Sequence, residues 1–366
     1  VSSILHKASN NLYLVGVLAA KDIIEALRSK LVLTLIITLS IMLLMPRLMG
    51  LIIQPAHTSI ALYDPSYSQL STELEASPQF NPVEVSSISE FDAILDPLGS
   101  GLGVAFGLAV PPDFDQRLAA GGELQVEGYV AWGNRFNAQE LKTEFESRLS
   151  KILGAPLHIN TANNLVYPNR DAELLLGFAT ISVILILLMK GISLVPHLLF
   201  EEKQTHTMDS LLVSPASIGQ VVAGKALAGA FYVLVASCVV FALYWAGVVH
   251  WGAALLFALG CALFSVGTGL VLGSFFDSQQ EIVGWVSLIL VLLTGAMLAS
   301  FMQLEVPNLI QSIIPWVPSV ALAEVFLSAF LEYAQWDQVW INLGGVLLLS
   351  IVLYALVVWK VSRMDR

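Results

Sequence analysis

The chain has 366 residues, of which 56% are apolar and 12% charged, and its mean hydropathy is +0.76. That composition excludes an ordinary soluble domain and points to a polytopic membrane protein. The formal charge of -11 is concentrated in residues 54–173, with sixteen Asp and Glu against six Lys and Arg, which argues against nucleic acid or anionic lipid as that segment's partner, since both are bound through Lys and Arg.

Residues 1–30 come first. Ile23, Ile24, Ala26 and Leu27 sit beside Lys21, Asp22, Glu25, Arg28 and Lys30, which predicts an amphipathic helix along the cytosolic leaflet. An extension of the first span fits the same residues. Leu12 to Ala20 is too short, and too closely followed by charge, to read as a cleaved signal peptide. The first span is expected at Leu31 to Ile53. Within it Arg47 follows Pro46 and falls near the outer head groups, where it snorkels or contacts a pathway.

Residues 54–171 are polar with short apolar stretches, and they are long enough for a core of their own. Strands are expected at Ser59 to Tyr63, Gly103 to Val110 and Leu124 to Trp132. Helices are expected at Tyr67 to Ala76, Asp113 to Ala120 and Ala138 to Leu153, giving an inserted α/β extracytoplasmic domain. In the last helix Leu141, Phe145, Leu149 and Ile152 share one face, which should pack on the sheet.

The second span, Leu174 to Leu199, carries Lys190. Two readings stand for this lysine: a polar pathway contact, or a long stem reaching toward the cytosolic surface. Residues 200–220 follow as a cytosolic segment. There Met208, Leu211 and Leu212 recur at i, i+3 and i+4, so a short helix after Thr207 shows an apolar stripe outside the bilayer. Ser214 and Pro215 supply a cap and a first helical position for the next helix. The stripe suits a protein partner, and a tight hairpin with leucines in the head groups fits it as well.

Gly219 to Lys225 matches the opening of a phosphate-binding loop, but Ala226 stands where magnesium needs a hydroxyl and no strand precedes it. Nucleotide binding by this chain is therefore not expected. Further spans are expected at Val221 to Val248, Trp251 to Phe275, Ile282 to Met302 and Val339 to Lys360. In the fourth, Gly267, Gly269 and Gly273 allow close approach of another helix, of this subunit or a second one. Val306 to Leu331 is interrupted by Pro307, Pro315 and Pro318, which disfavours one straight span; it reads as a broken element or a surface loop.

Six spans put both termini on one side. Lys7, Lys21, Arg28, Lys30, Lys203, Lys225, Lys360, Arg363 and Arg366 choose the cytosol for them. Cys238 and Cys261 lie in apolar runs and offer neither a disulfide for the polar segment nor a thiolate metal site. The six histidines are scattered, so no enzyme site and no bound cofactor are expected.

The order Glu202, Lys203, Thr207, Asp209, Leu211, Leu212 and Pro215, followed by Gly224 and Lys225, resembles the type-two ATP-binding-cassette exporter permeases. His206 stands where those proteins usually have glycine. The resemblance implies a six-helix membrane protein with an N-terminal surface helix, a coupling helix between spans two and three, and re-entrant helices around Pro307, Pro315 and Pro318. It implies ATPase coupling through Glu202, Lys203, Thr207, Met208, Asp209, Leu211, Leu212 and Pro215, with ATP and magnesium on a separate ATPase subunit. It also implies a second permease chain, identical or paralogous, in the plasma membrane of a bacterium or archaeon. A lipid, drug or other amphiphile suits such a route, and sodium or a polysaccharide stays open as cargo. The rival reading is a ligand-sensing membrane receptor that signals through its cytosolic loop.

Overall fold

The computed structural model describes residues 13–24, 37, 58–95, 104, 106–162, 164–167, 174–204, 218–276, 278–302, 304 and 307–364. The first span expected at Leu31 to Ile53 therefore lies outside the described residues, apart from the helical Ile37. Helix α1 covers residues 13–24.

Residues 58–167 build a mixed sheet in the order β2-β1-β3-β4-β5, with β6 also paired to β4. The strands are β1 (Thr58–Tyr63), β2 (Phe80–Glu84), β3 (Phe106–Ala109), β4 (Leu124–Ala131), β5 (Leu157–Asn160) and β6 (Leu165–Val166). Pairings are parallel except β3 with β4, where Leu108 faces Gly128. Strand β2 contains Pro82, which lacks a ladder donor and is tolerated because β2 is an edge. Between the strands lie α2 (Gln69–Ala76), α3 (Phe91–Ile94), α4 (Phe114–Ala119) and α5 (Ala138–Leu153).

Side chains alternate along β1 as the pleat requires. Ile60 and Leu62 join Leu70, Phe106, Phe145 and Leu149 on one face, while Ala61 joins Phe91, Ala109 and Val166 on the other. Phe145 stacks on Phe106 with centroids 4.8 Å apart. Helix α5 thus buries its Phe145 and Leu149 stripe on the sheet and stops at Gly154, whose φ of 66° is the left-handed cap that glycine adopts freely.

The remaining helices are α6 (Leu174–Gln204), α7 (Ile218–Leu243), α8 (Trp251–Phe275), α9 (Gln279–Phe301), α10 (Asn308–Ile313), α11 (Pro318–Leu327) and α12 (Trp336–Met364). Five of these, α6 to α9 and α12, are long and apolar enough to cross a bilayer. Only helices or closed barrels satisfy their own backbone in lipid. The hydroxyls of Ser237, Ser265, Thr268 and Ser350 accordingly donate to carbonyls four residues back. Helix α8 is central, with 72% of its most apolar window buried, against 22% for α9 and 28% for α12. The two outlying helices are left to face lipid or another chain.

Small residues set the spacing of α6 and α8. A Cβ on Gly269 would lie 3.0 Å from the Gly191 carbonyl oxygen, and one on Gly273 would lie 2.7 Å from Leu199 Cδ1. The glycines of the fourth span therefore serve packing within this chain. The stretch around Pro315 and Pro318 breaks as its prolines require. Asn308–Trp316 and Pro318–Leu327 meet at 61°.

The sheet unit rests on the end of α7 through Arg135. Its guanidinium lies 4.0 Å from the Trp132 ring centroid and 4.2 Å from that of Phe136. It also donates to the Ala246 carbonyl, while Phe136 packs on Trp245 at 4.7 Å.

Candidate functional site

Two features of the helical part concern function: how α1 is fastened, and the cavity between α6 and α9. Helix α1 lies against the start of α7. Asp22 and Lys225, both buried, meet with Oδ2 and Nζ 3.4 Å apart. The Tyr232 hydroxyl donates to the Ile23 carbonyl at 2.7 Å. Gly224 permits the approach, because a Cβ there would sit 2.9 Å from Leu18 Cβ. One expectation changes here. Asp22 belongs to the buried face of its helix and not to a solvated one, while Ile24 is 52% exposed. Gly219 to Lys225 is helical throughout, so it offers no phosphate-cradling loop, and its lysine is engaged by a carboxylate.

Lys190 lies in α6, at the middle of the candidate span Thr180–Phe200. It lines a cavity of about 400 Å³ together with Ser193, Leu194, His197, Val283 and Ser287, among others. Lys190, Ser193, Leu194 and His197 share one face of α6 at i, i+3, i+4 and i+7. Val283, Ser287 and Leu290 do the same on α9. The cavity is amphiphilic, with a polar strip from α6 against mostly apolar walls. A lysine at mid-membrane costs about 2.5–3.5 kcal/mol on insertion scales, so such residues are confined to polar routes or pairs. About ten residues of helix at 1.5 Å each separate Lys190 from either end of the span.

The other residues singled out from sequence fall as follows. Glu202 and Lys203 are in the last turn of α6. Thr207, Met208, Asp209, Leu211, Leu212 and Pro215 lie outside the described residues, as does Arg47. Pro307 precedes α10, Pro315 sits in the 3-10 turn after it and Pro318 opens α11. Sequence reasoning missed the Asp22 and Lys225 pairing, since nothing in their spacing of some two hundred residues announces it. The role of α9 in the cavity had a weak signal in Ser287, a hydroxyl within an apolar run.

A second cavity, of about 380 Å³, opens at the carboxyl ends of β1 and β2 beside Tyr63, Asp64, Tyr67 and Glu84. The Asp64 carboxylate there is already occupied by Ser66, Ser68 and Ser71. It therefore holds the turn into α2. Among the described residues no group of His, Cys, Asp and Glu is arranged to hold a metal ion.

The model of the family described as ABC-2 family transporter protein matches residues 30–359. The chain is also 26% identical over 302 residues to the inner membrane transport permease YhhJ of Escherichia coli (strain K12), an alignment covering 77% of this chain and 79% of the relative. The Shigella flexneri protein of the same name matches to the same extent. No solved structure matches the chain.

Proposed function

The chain belongs to the ABC-2 family of transporter proteins, and on that premise we propose that it is the permease subunit of an ATP-driven exporter of amphiphiles. As a member it is a multi-pass membrane transport subunit, and the family implies an ATP-binding-cassette ATPase as its cytosolic partner. In this reading the cargo is a lipid, a drug or another amphiphile taken from the cytoplasm or the inner leaflet. The observation that carries the reading is the amphiphilic cavity between α6 and α9. A wall that is apolar with a polar strip suits a molecule that is itself half apolar.

The proposed working cycle assigns four parts. ATP and magnesium are held by the ATPase, and this chain supplies no catalytic residue. Force enters through the cytosolic segment, where Met208, Leu211 and Leu212 supply apolar contact to the ATPase and Glu202, Lys203, Thr207, Asp209 and Pro215 take part in the coupling. Helix α1, fastened by Asp22 to Lys225, moves with the start of α7. A second permease chain, identical or paralogous, completes the route, with the thinly buried α9 facing it.

Both termini are assigned to the cytosol by the basic residues that flank the spans, which puts the sheet unit outside the cell membrane. There it rests on the outer end of α7 through Arg135 and extends the route outward. The bent pair α10 and α11 forms the re-entrant element on the same side. Family membership does not favour the rival receptor reading.

Copurification tests the proposal. Affinity-tagged chain expressed in its own host should retain an ATP-binding-cassette subunit, and proteoliposomes of that complex should move a fluorescent amphiphile only with ATP. Retention of a kinase or response regulator, with no ATP-dependent movement, would overturn it in favour of sensing.

A further inference from the structure

The cavity between α6 and α9 has a charge imbalance. Lys190 and His197 line it, and among the described residues no carboxylate does. Glu281 sits in the first turn of α9 yet is not part of the lining. The contrast with Lys225 is informative, because that buried lysine is met by Asp22. Ionisable groups at membrane depth are kept where a partner or an ion route compensates them. Among the described residues the lining gives Lys190 hydroxyl and imidazole neighbours, Ser193 and His197, and no carboxylate.

Around this polar strip the walls are apolar. Met189 and Leu194 come from α6, and Val283, Val286 and Leu290 from α9. At about 400 Å³ the space lies within the range of small-molecule sites. We propose that this cavity selects amphiphiles with an anionic head group, Lys190 pairing with the head and the α9 face holding the apolar tail. The inference rests on reading the cavity as part of the transport route, and it names the cargo's charge. In a low-dielectric site a lysine pairs strongly with a carboxylate or phosphate, whereas a cationic head is repelled. A neutral head leaves the lysine's charge at membrane depth uncompensated.

The test uses the full-length chain in phosphatidylcholine nanodiscs and two photolabels: a diazirine-bearing fatty acid, ionised at pH 8, and its neutral primary amide. Adducts are mapped by mass spectrometry. The acid should label residues 189–200 and 279–290 at a concentration about tenfold below that needed by the amide. Lys190→Gln should erase that preference and Lys190→Arg should keep it. Val283→Trp, placed on an exposed position so that folding is retained, should block both labels.

Added phosphatidylglycerol identifies the source of the head group. Competition with the acid marks the phospholipid as occupant, and persistence of labelling marks the single-chain acid; either outcome supports an anionic cargo. Equal labelling by acid and amide, unchanged by Lys190→Gln but blocked by Val283→Trp, would overturn the charge selection and leave the route standing. Absence of adducts in the lining, with no effect of Val283→Trp, would overturn the route and this inference together.

Discussion

Asp22 and Lys225, 203 residues apart in sequence, form a buried ion pair of 3.4 Å that fastens α1 to the start of α7. A pair of this kind is costly to break from one side, since the survivor is left charged and buried. Asp22→Ala should therefore destabilise the protein by about 3–5 kcal/mol. The check is thermal unfolding in detergent together with proteolysis of the first thirty residues. The reversed pair, Asp22→Lys with Lys225→Asp, should recover part of the loss, and equal damage from single and double variants would contradict the pairing.

Gly191 packs where no side chain fits. A Cβ there would collide with Ser265 Oγ and lie 3.0 Å from Val233 Cγ2, whereas one on Gly284 would meet nothing within 4 Å. Gly191→Ala should cost about 1–3 kcal/mol by overpacking. Gly284→Ala should be neutral or stabilising by about 0.5–1 kcal/mol, since glycine in a helix gives up more conformational entropy than alanine. Melting temperatures of the two variants decide the point.

Arg135 joins the sheet unit to the end of α7 by a hydrogen bond to Ala246 and by contact with two rings, Trp132 and Phe136. Arg135→Ala should lower stability by about 1–3 kcal/mol, the cost of a charged hydrogen bond and its ring contacts. Hydrogen exchange should speed up at residues 245–250 and leave the sheet core unchanged. Arg135→Lys should rescue little, because an ammonium lacks the planar face that stacks on both rings.

Two carboxylates outside the membrane should respond to pH in opposite senses. Burial works to raise the Asp64 pKa, but hydrogen bonds from Ser68, Ser71 and Ser66 outweigh it and hold the carboxyl below its ordinary value. Its stabilising contribution is thus fully present above the unfolded carboxyl's pKa, about 3.9, and is lost as pH falls through the lower folded one. Burial, reinforced by the charge of Glu332, raises Asp92. That group therefore costs stability above its folded pKa, and the cost disappears below the unfolded one. Asp64→Asn should lower the melting temperature at pH 7 and Asp92→Asn should raise it. Both differences should shrink in a series run below about pH 4.

The elements that sequence revealed were those whose signal is local. Helix α5 runs from Ala138 to Leu153, as the spacing of Leu141, Phe145 and Leu149 requires, and the break at Pro315 and Pro318 follows from missing backbone donors. Strands β2, β5 and β6 escaped, for physical reasons. Pro82 disguises β2, and the four residues of β5 and two of β6 are too few to show a period; their partners on β4 make them strands. Lys190 was visible as an anomaly in an apolar run, but its cavity depends on α9, whose contribution is set by packing. Asp22 shows the limit most clearly. Its neighbours predict a solvated face, and only the arrival of Lys225 from α7 makes burial tolerable.

The most direct measurement of the central claim is ATP turnover by the purified complex of this chain with its ATPase, comparing the native segment with Leu211→Asp combined with Leu212→Asp. An apolar ridge gripped by the ATPase predicts loss of the complex, or a fall in amphiphile-stimulated turnover of at least about tenfold, the equivalent of ~1.4 kcal/mol of interface energy. Full copurification and unchanged stimulated turnover in the double variant would contradict it.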